Sequence, residues 1–259
     1  MSDAQRTAQL IQEVAPDVVV HTQALSDVDR CELEPAAARA QNVEATAHLI
    51  DALQGSSAWL IYLSTDYVFD GTKGRPYDEL DEPHPISVYG TSKLEGERLV
   101  LAFARGLIVR PSTLFGSARL NFCDHVAMRL RQGLSVEAFV DQTTSPTYAE
   151  DLANGIGALL AALGQSRLAG HRIFHMANAG GCTRAAFAWR IADLLGCPRQ
   201  LIQVIPMASQ QRPAKRPAYS ALATRHLAKV IGTTLRPWEE ALQTYLRQRY
   251  PVASSQTAS

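Results

Sequence analysis

The distribution of apolar and polar positions in the first 110 residues predicts helices that alternate with buried strands. Each helical pattern precedes a short, nearly continuous apolar run, which is typical of a strand covered on both faces of a sheet. The first unit is a helix containing Leu10, Ile11 and Val14, followed by a strand at 18–20. The second is a helix at 35–53 followed by a strand at 58–63, and the third is a helix at 92–104 followed by a strand at 106–110. This alternation predicts an α/β fold built on a doubly wound parallel sheet.

The pattern is less regular after Gly116. Helices are predicted at 122–132, at 149–163, after Thr183 as N-cap and at 238–250, and strands at 136–140, 172–176 and 201–205. We expect residues 1–140 to form the sheet domain and residues 141–250 mainly a smaller lobe that interleaves with it. Residues 251–259 are small and polar, so we expect a disordered tail.

Charge and cysteine content exclude several classes of protein. The chain of 259 residues has 25 Lys and Arg against 25 Asp and Glu, so it lacks the basic excess that binds nucleic acid or an anionic membrane. It has neither an apolar run of membrane-spanning length nor a signal-like start, so we expect a cytoplasmic protein with no nucleic-acid or membrane partner. The four cysteines are widely spaced, which argues against a disulfide framework or a metal site.

Side chains suited to carbonyl chemistry follow the second predicted strand. Ser64 and Thr65 stand at its carboxyl end, where open α/β sheets bind ligands. Tyr89 and Lys93 are four residues apart and therefore share one helix face, so the ammonium is expected to lower the pKa of the phenol towards a useful range. A Tyr-x-x-x-Lys spacing alone is common by chance. In this context, it predicts reduction of a carbonyl that Thr65 holds and to which Tyr89 gives a proton.

Four sequence blocks stand in an order that is specific to one enzyme family. Residues 64–71 read Ser-Thr-Asp-Tyr-Val-Phe-Asp-Gly, and residues 85–97 read Pro-Ile-Ser-Val-Tyr-Gly-Thr-Ser-Lys-Leu-Glu-Gly-Glu. Residues 141–148 and 216–222 supply the other two blocks. The chain, from about residue 3 to about residue 246, thus resembles the dTDP-4-dehydrorhamnose reductase family of extended short-chain dehydrogenase/reductases.

The resemblance implies a Rossmann-like fold, with an incomplete NAD(P)-binding domain at 1–140 and a mainly substrate-binding lobe at 141–250. It implies reduction of a dTDP-4-keto-6-deoxy sugar, as in dTDP-L-rhamnose biosynthesis, with NADPH or NADH as cofactor. The residues that it assigns are Thr65, Tyr89 and Lys93 as the catalytic triad, Ala24, Leu25, Ser26, Tyr89 and Lys93 as cofactor contacts, and Thr65, Asp66, Thr113 and Arg216 as substrate contacts.

The chain departs from the family pattern at its start. Members begin with a strand, a glycine-rich turn and a helix that hold the pyrophosphate of the dinucleotide, and no Gly-x-x-Gly-x-x-Gly occurs here. About 50 residues are therefore expected to be absent, which puts cofactor binding in question. Their loss would expose apolar strand edges at 18–20 or 60–63, so we expect low solubility or self-association, such as a homodimer.

Other interpretations stay open. The regulatory beta subunit of methionine adenosyltransferase belongs to the same branch and has a similar block around Asp66, so a non-catalytic regulatory or binding subunit is one alternative. Thr65, immediately before Asp66, favours the reductases. An inactive truncated paralogue is another alternative. Thr113 stands where the reductases place an aromatic residue against the sugar, so the sugar is not fixed by the sequence.

Overall fold

The computed structural model describes residues 3–251. The predicted disordered tail at 251–259 therefore lies, apart from its first residue, outside the described residues. Within the described part, no helix combines the length and the apolar character needed to cross a lipid bilayer.

Short strands and longer helices alternate through residues 3–251. The strands are β1 (Val18–His21), β2 (Trp59–Leu63), β3 (Gly106–Arg110), β4 (Leu114–Phe115), β5 (Val136–Phe139), β6 (Thr143–Thr144), β7 (Thr147–Tyr148), β8 (Ile173–His175), β9 (Cys182–Thr183) and β10 (Ile202–Ile205). The helices are α1 (Ala4–Val14), α2 (Val28–Leu33), α3 (Pro35–Arg39), α4 (Ala45–Leu53), α5 (Val88–Ala102), α6 (Phe122–Arg131), α7 (Ala149–Gly164), α8 (Arg184–Leu195), α9 (Arg225–Ile231) and α10 (Trp238–Arg249). A π-helical segment, Ala40–Glu44, joins α3 to α4.

The main sheet has four parallel strands in the order β1, β2, β3, β8. Its last strand, β8, comes from the second half of the chain, so both halves of the chain contribute strands to this sheet. Strand pairs β5 with β10, β4 with β7, and β6 with β9 form small separate sheets. Since β5 pairs with β10, the lobe also takes a strand from before residue 140, and a domain boundary at that residue stays a prediction.

Apolar clusters cover both faces of the main sheet. Leu49, Leu53 and Val100 pack on one face from α4 and α5. Leu159 and Leu227 pack on the other face from α7 and α9. Helices on both faces confirm the predicted doubly wound α/β fold, and they explain why the strand residues read as continuous apolar runs.

The sequence left two alternatives for an exposed strand edge, at 18–20 or at 60–63. Strand β1 lies at the edge of the sheet, and Val20 keeps 39% of its surface exposed. The exposed edge is therefore that at 18–20, because β2 pairs with β1 on one side and with β3 on the other.

Helix α5 begins at Val88, earlier than the sequence predicted. The prediction placed its start near Ser92, but Ser87 is the N-cap and its hydroxyl oxygen accepts a backbone N–H of the first turn. Tyr89 and Lys93 therefore both lie on regular helix, one turn apart.

Two glycines let α5 approach the sheet closely. A Cβ on Gly90 would collide with the carbonyl oxygen of Tyr67, and a Cβ on Gly96 would collide with the hydroxyl of Tyr62. Helix α5 therefore lies directly against β2 and the turn that follows it, and this packing positions the candidate site.

Candidate functional site

A cavity of about 500 Å³ opens where β1, β2 and β3 end. Its walls come from the segments after these strands, from α5, from the loop before α6 and from the first residue of α8. The lining residues are Thr22, Ala24, Ser26, Val28, 63–67, Tyr89, Lys93, 111–116, 118–121, Ala149 and Arg184. Open α/β sheets bind ligands at the carboxyl ends of their strands, so this cavity is the candidate active site.

The cavity brings together most of the residues that the sequence singled out. The predicted residues that line it are Thr65, Tyr89, Lys93, Ala24, Ser26, Asp66 and Thr113. Leu25 and Arg216 are not among the lining residues. The individual role of each residue stays a prediction.

Tyr89 is half-buried, and its ring meets that of Tyr67 edge-on, with 5.9 Å between the centroids. Burial raises the pKa of the Tyr89 phenol, although a hydrogen bond with the Thr65 hydroxyl opposes this effect. The net effect is a raised pKa, because loss of hydration destabilises the phenolate. The contribution that Lys93 makes to this pKa stays a prediction. The phenol stays protonated at neutral pH and can act as an acid.

Lys93 is 1% exposed, and its Nζ lies 4.0 Å from the centroid of the Tyr62 ring. Within residues 3–251, this ammonium has no hydrogen-bond acceptor and no carboxylate at salt-bridge distance. Burial lowers the pKa of Lys93 to about 7, and the charge of Glu97 opposes that change. Its donors are therefore free for a ligand in the cavity.

A buried ion pair lies behind Lys93. Arg110 Nε and Nη2 donate to the two carboxylate oxygens of Glu97 at 2.8 and 2.6 Å, and the two residues are 2% and 1% exposed. The hydroxyl of Ser64 also donates to Glu97, at 2.5 Å. Arg110 thus neutralises most of the Glu97 charge, which explains why Glu97 compensates Lys93 only in part. The same contacts fix the end of β2 just before Thr65.

Asp66 is 3% exposed and joins three segments of the chain. Its Oδ2 accepts hydrogen bonds from the Ser112 hydroxyl at 2.7 Å and from the Ser220 hydroxyl at 2.5 Å. Thr65 donates to Oδ1 at 3.2 Å. Burial raises the pKa of the Asp66 carboxyl, and these hydrogen bonds oppose the rise. The structure thus gives Asp66 a positioning role, and its contact with substrate stays a prediction.

The segment after β1 is held by Asn42. The side-chain oxygen of Asn42 accepts the N–H of Leu25 at 2.7 Å, and its amide donates to the Leu25 carbonyl at 3.1 Å and to the Ser92 hydroxyl at 2.9 Å. The Leu25 side chain points into a small core and is 7% exposed. Its neighbours Ala24 and Ser26 line the cavity instead, so Asn42 shapes the predicted cofactor path.

Thr113 lies in a rare backbone conformation at the cavity wall. Its φ is +30°, which is unfavourable for a β-branched residue. The hydrogen bond from the N–H of Thr147 to the Thr113 carbonyl, 3.0 Å long, helps to hold it. Strained backbone of this kind concentrates at ligand sites.

Arg216 is bound to a carboxylate. Its two terminal nitrogens donate to the two oxygens of Asp29 at 2.6 Å each, and its side chain is 11% exposed. This bidentate pair joins the start of the last sequence block to α2. The predicted contact between Arg216 and substrate would need Asp29 to be displaced, so it stays a prediction.

Sequence reasoning missed Arg184 and the wall that Tyr67 forms. It predicted Thr183 as the N-cap of α8, and the Thr183 hydroxyl oxygen does accept the N–H of Ala186 at 3.0 Å. The next side chain, Arg184, reaches the cavity and stacks on the ring of Phe122 at 4.9 Å from its centroid. No local pattern signals this, since the position depends on how α8 packs.

The residues present fit the nicotinamide ribose end of NADPH or NADH. The free ammonium donors of Lys93 suit ribose hydroxyls. Ala24 and Ser26 line the adjoining wall with small side chains, and the Ser26 hydroxyl makes part of that wall polar. Among residues 3–251, no three His, Cys, Asp or Glu side chains are arranged to hold a metal ion. The Lys93 ammonium thus gives the site donors for the ribose of a nicotinamide dinucleotide.

Comparison with known proteins shows which family this chain resembles. A family model described as RmlD substrate binding domain matches residues 1–250. The dTDP-4-dehydrorhamnose reductase of Mycobacterium tuberculosis is 39% identical over 236 residues, which cover 89% of this chain and 76% of that protein. The enzyme of that name from Streptomyces griseus is 38% identical over 247 residues, which cover 93% of this chain and 80% of that protein.

A solved structure shows the same fold. The crystal structure of dTDP-4-dehydrorhamnose reductase from Bacillus anthracis in complex with NADP superimposes with a TM-score of 0.88 at 29% identity. The superposition covers 95% of this chain and 86% of that one. The Rossmann-like fold and the family that the sequence blocks predicted are confirmed. This chain belongs to the family described as the RmlD substrate binding domain.

Proposed function

We propose that this chain uses NADPH or NADH to reduce the C4 ketone of a dTDP-4-dehydro-6-deoxy sugar, as in dTDP-L-rhamnose biosynthesis. The observation that carries this proposal is that Thr65, Tyr89 and Lys93 line one cavity at the strand ends. Relatives 38–39% identical are named dTDP-4-dehydrorhamnose reductases, and the similar Bacillus anthracis structure is a complex with NADP.

The three side chains divide the chemistry among them. When bound, the reduced nicotinamide supplies a hydride to the ketone carbon. Thr65 donates a hydrogen bond to the ketone oxygen and polarises the carbonyl. Tyr89 gives its phenolic proton to that oxygen, so the ketone becomes an alcohol and a phenolate remains. The Lys93 ammonium stabilises this phenolate and binds the ribose hydroxyls.

The electrostatics of the cavity suit a reduction. Burial raises the pKa of Tyr89, so the phenol holds its proton until the oxygen of the substrate becomes basic. Lys93, whose pKa is about 7, is charged on a substantial fraction of molecules at neutral pH. Proton transfer creates a negative phenolate beside it, which favours the charged form of Lys93 in turn.

The test is NADPH oxidation with dTDP-4-dehydro-6-deoxy sugars as substrates. The Tyr89→Phe variant loses only the phenolic proton, so we expect its rate to fall by about 100-fold or more. Tyr250→Phe is the matched control, because Tyr250 lies outside the cavity and its hydroxyl donates to Asp124 at 2.8 Å. Full activity of Tyr89→Phe would refute the proposal. Absence of turnover in a folded wild-type chain would favour a non-catalytic subunit.

We also infer that the open β1 edge supports a homodimer in the cytoplasm. Val20 of β1 is 39% exposed, and Leu10 and Val14 of the preceding helix α1 are 44% and 62% exposed. The four free cysteines suit a reducing compartment.

Light scattering of the purified chain and of Val20→Lys tests the dimer, since an edge lysine opposes strand pairing. A monomeric wild type at micromolar concentration would refute it, and cell fractionation tests the location.

A further inference from the structure

The wall of the cavity contains an arginine that has no carboxylate at salt-bridge distance among the described residues. Arg184 is the first residue of α8 and belongs to the cavity lining. Within residues 3–251, no carboxylate lies within 4.0 Å of its guanidinium. Its position is fixed by stacking on Phe122 at 4.9 Å from the ring centroid.

Three arginines with well-defined carboxylate partners are arranged differently. Arg110, Arg216 and Arg236 each bind a carboxylate through two nitrogens. The carboxylate that interacts with Arg184 from across the cavity is that of Asp66. Ser112 and Ser220 both donate hydrogen bonds to Asp66 and hold it in place. Arg184 is therefore a preoriented guanidinium without a bidentate partner among residues 3–251.

Burial of a charged guanidinium is unfavourable in free energy unless an anion binds to it. Partial desolvation lowers the pKa of Arg184, which shows that the charged form loses hydration in the cavity. A planar guanidinium binds phosphate oxygens through two parallel hydrogen bonds, and these bonds are stronger in a partly dry site. The ligand that this position selects is thus an anion with paired oxygens, such as a diphosphate.

We propose that Arg184 binds the diphosphate group of the nucleotide-sugar substrate and thereby sets where the sugar lies. This inference rests on the proposed function and deepens it. The diphosphate of the dinucleotide has the same chemistry. We assign Arg184 to the substrate because it extends from the lobe, whereas the residues of the predicted cofactor path, Ala24 and Ser26, lie after β1.

The experiment compares Arg184→Gln with wild type by calorimetric titration with dTDP, thymidine and NADPH separately. Arg199→Gln is the matched control, because Arg199 forms an exposed ion pair with Asp193 outside the cavity. We expect dTDP affinity to fall about tenfold or more in Arg184→Gln, with thymidine and NADPH affinities within twofold of wild type. Arg184→Lys should recover part of the loss in dTDP affinity, since lysine restores the positive charge but cannot form the two parallel hydrogen bonds of a guanidinium.

The outcomes separate this inference from the proposed function. Equal dTDP affinity in wild type and Arg184→Gln overturns the inference, even if the enzyme reduces its ketone substrate. A selective loss of NADPH affinity also overturns it and assigns Arg184 to the dinucleotide. A selective loss of dTDP affinity supports it, even if no tested sugar is reduced, in which case the proposed function fails alone.

Discussion

Two regions of this molecule contain buried cations, and they differ in what surrounds the charge. Between the main sheet and α5, Arg110 of β3 is 2% exposed and is bound through two nitrogens to Glu97 of α5. In the cavity, Lys93 and Arg184 have no carboxylate at salt-bridge distance among the described residues. A buried charge is tolerated only when something compensates it. The charge of Arg110 is therefore compensated within the fold, whereas we expect ligands to compensate the charges of Lys93 and Arg184.

The largest effect on stability should follow from breaking the buried pair. Arg110→Met leaves the Glu97 carboxylate buried with only Ser64 as a partner, so we expect the free energy of unfolding to fall by about 3–5 kcal/mol. Chemical denaturation measures this loss. The double variant Arg110→Met/Glu97→Met should recover much of it, because no charge is left unpaired. If the free energy of unfolding of Arg110→Met fell by less than about 1 kcal/mol, the paired Arg110 would not differ from the unpaired cations of the cavity in its effect on stability.

A pH titration of stability tests the histidine that lies near Lys93. His21 is 1% exposed, and burial together with the charge of Lys93 lowers its pKa to about 4. Its nitrogen Nε2 lies 3.1 Å from the Thr46 hydroxyl. The unfolded chain binds the proton more tightly, so stability is complete above pH 6.5 and falls as the pH drops towards 4.

The expected loss from His21 over this window is about 3 kcal/mol. His21→Gln should flatten the curve between pH 6.5 and 4, and the slope that remains comes partly from His175, whose pKa burial lowers to about 3. His84→Gln is the control, because His84 is exposed. An unchanged slope in His21→Gln would contradict the account of a neutral, buried imidazole.

The smallest expected effect on stability is that of replacing Arg216, and it should distinguish the role of Arg216 from that of Arg184. Arg216→Gln removes a partly buried ion pair with Asp29, so we expect a stability loss of about 1 kcal/mol and a dTDP affinity within threefold of wild type. Arg184→Gln should do the reverse, with weaker dTDP binding at unchanged stability. Melting temperatures and dTDP titrations of both variants make the comparison. A large affinity loss in Arg216→Gln would instead support the predicted substrate contact of Arg216.

The sequence was sufficient for the parts of the site that depend on local order. Strand β3 was predicted with its observed bounds, and Thr65 follows β2 because the strand and its hydroxyl residues are adjacent in sequence. Tyr89 and Lys93 were paired by helical spacing. The start of α5 was misplaced by four residues because the capping role of Ser87 was not recognised.

The remaining contacts join residues far apart in the chain. Asp66 meets Ser220 across 154 positions, and Arg216 meets Asp29 across 187 positions. Composition and periodicity hold no information on such pairs. For the same reason, the sequence could not distinguish the paired Arg216 from the unpaired Arg184, although this distinction decides which of them faces a ligand.

The central claim is that the cavity around Lys93 binds a nicotinamide dinucleotide, and a fluorescence titration with NADPH tests it most directly. The chains to compare are wild type, Lys93→Ala and the control Lys229→Ala, in which an exposed lysine of α9 is removed. The account predicts saturable binding that weakens about tenfold or more in Lys93→Ala and is unchanged in Lys229→Ala. Absence of binding by a folded wild-type chain, or equal affinity in Lys93→Ala, would contradict it.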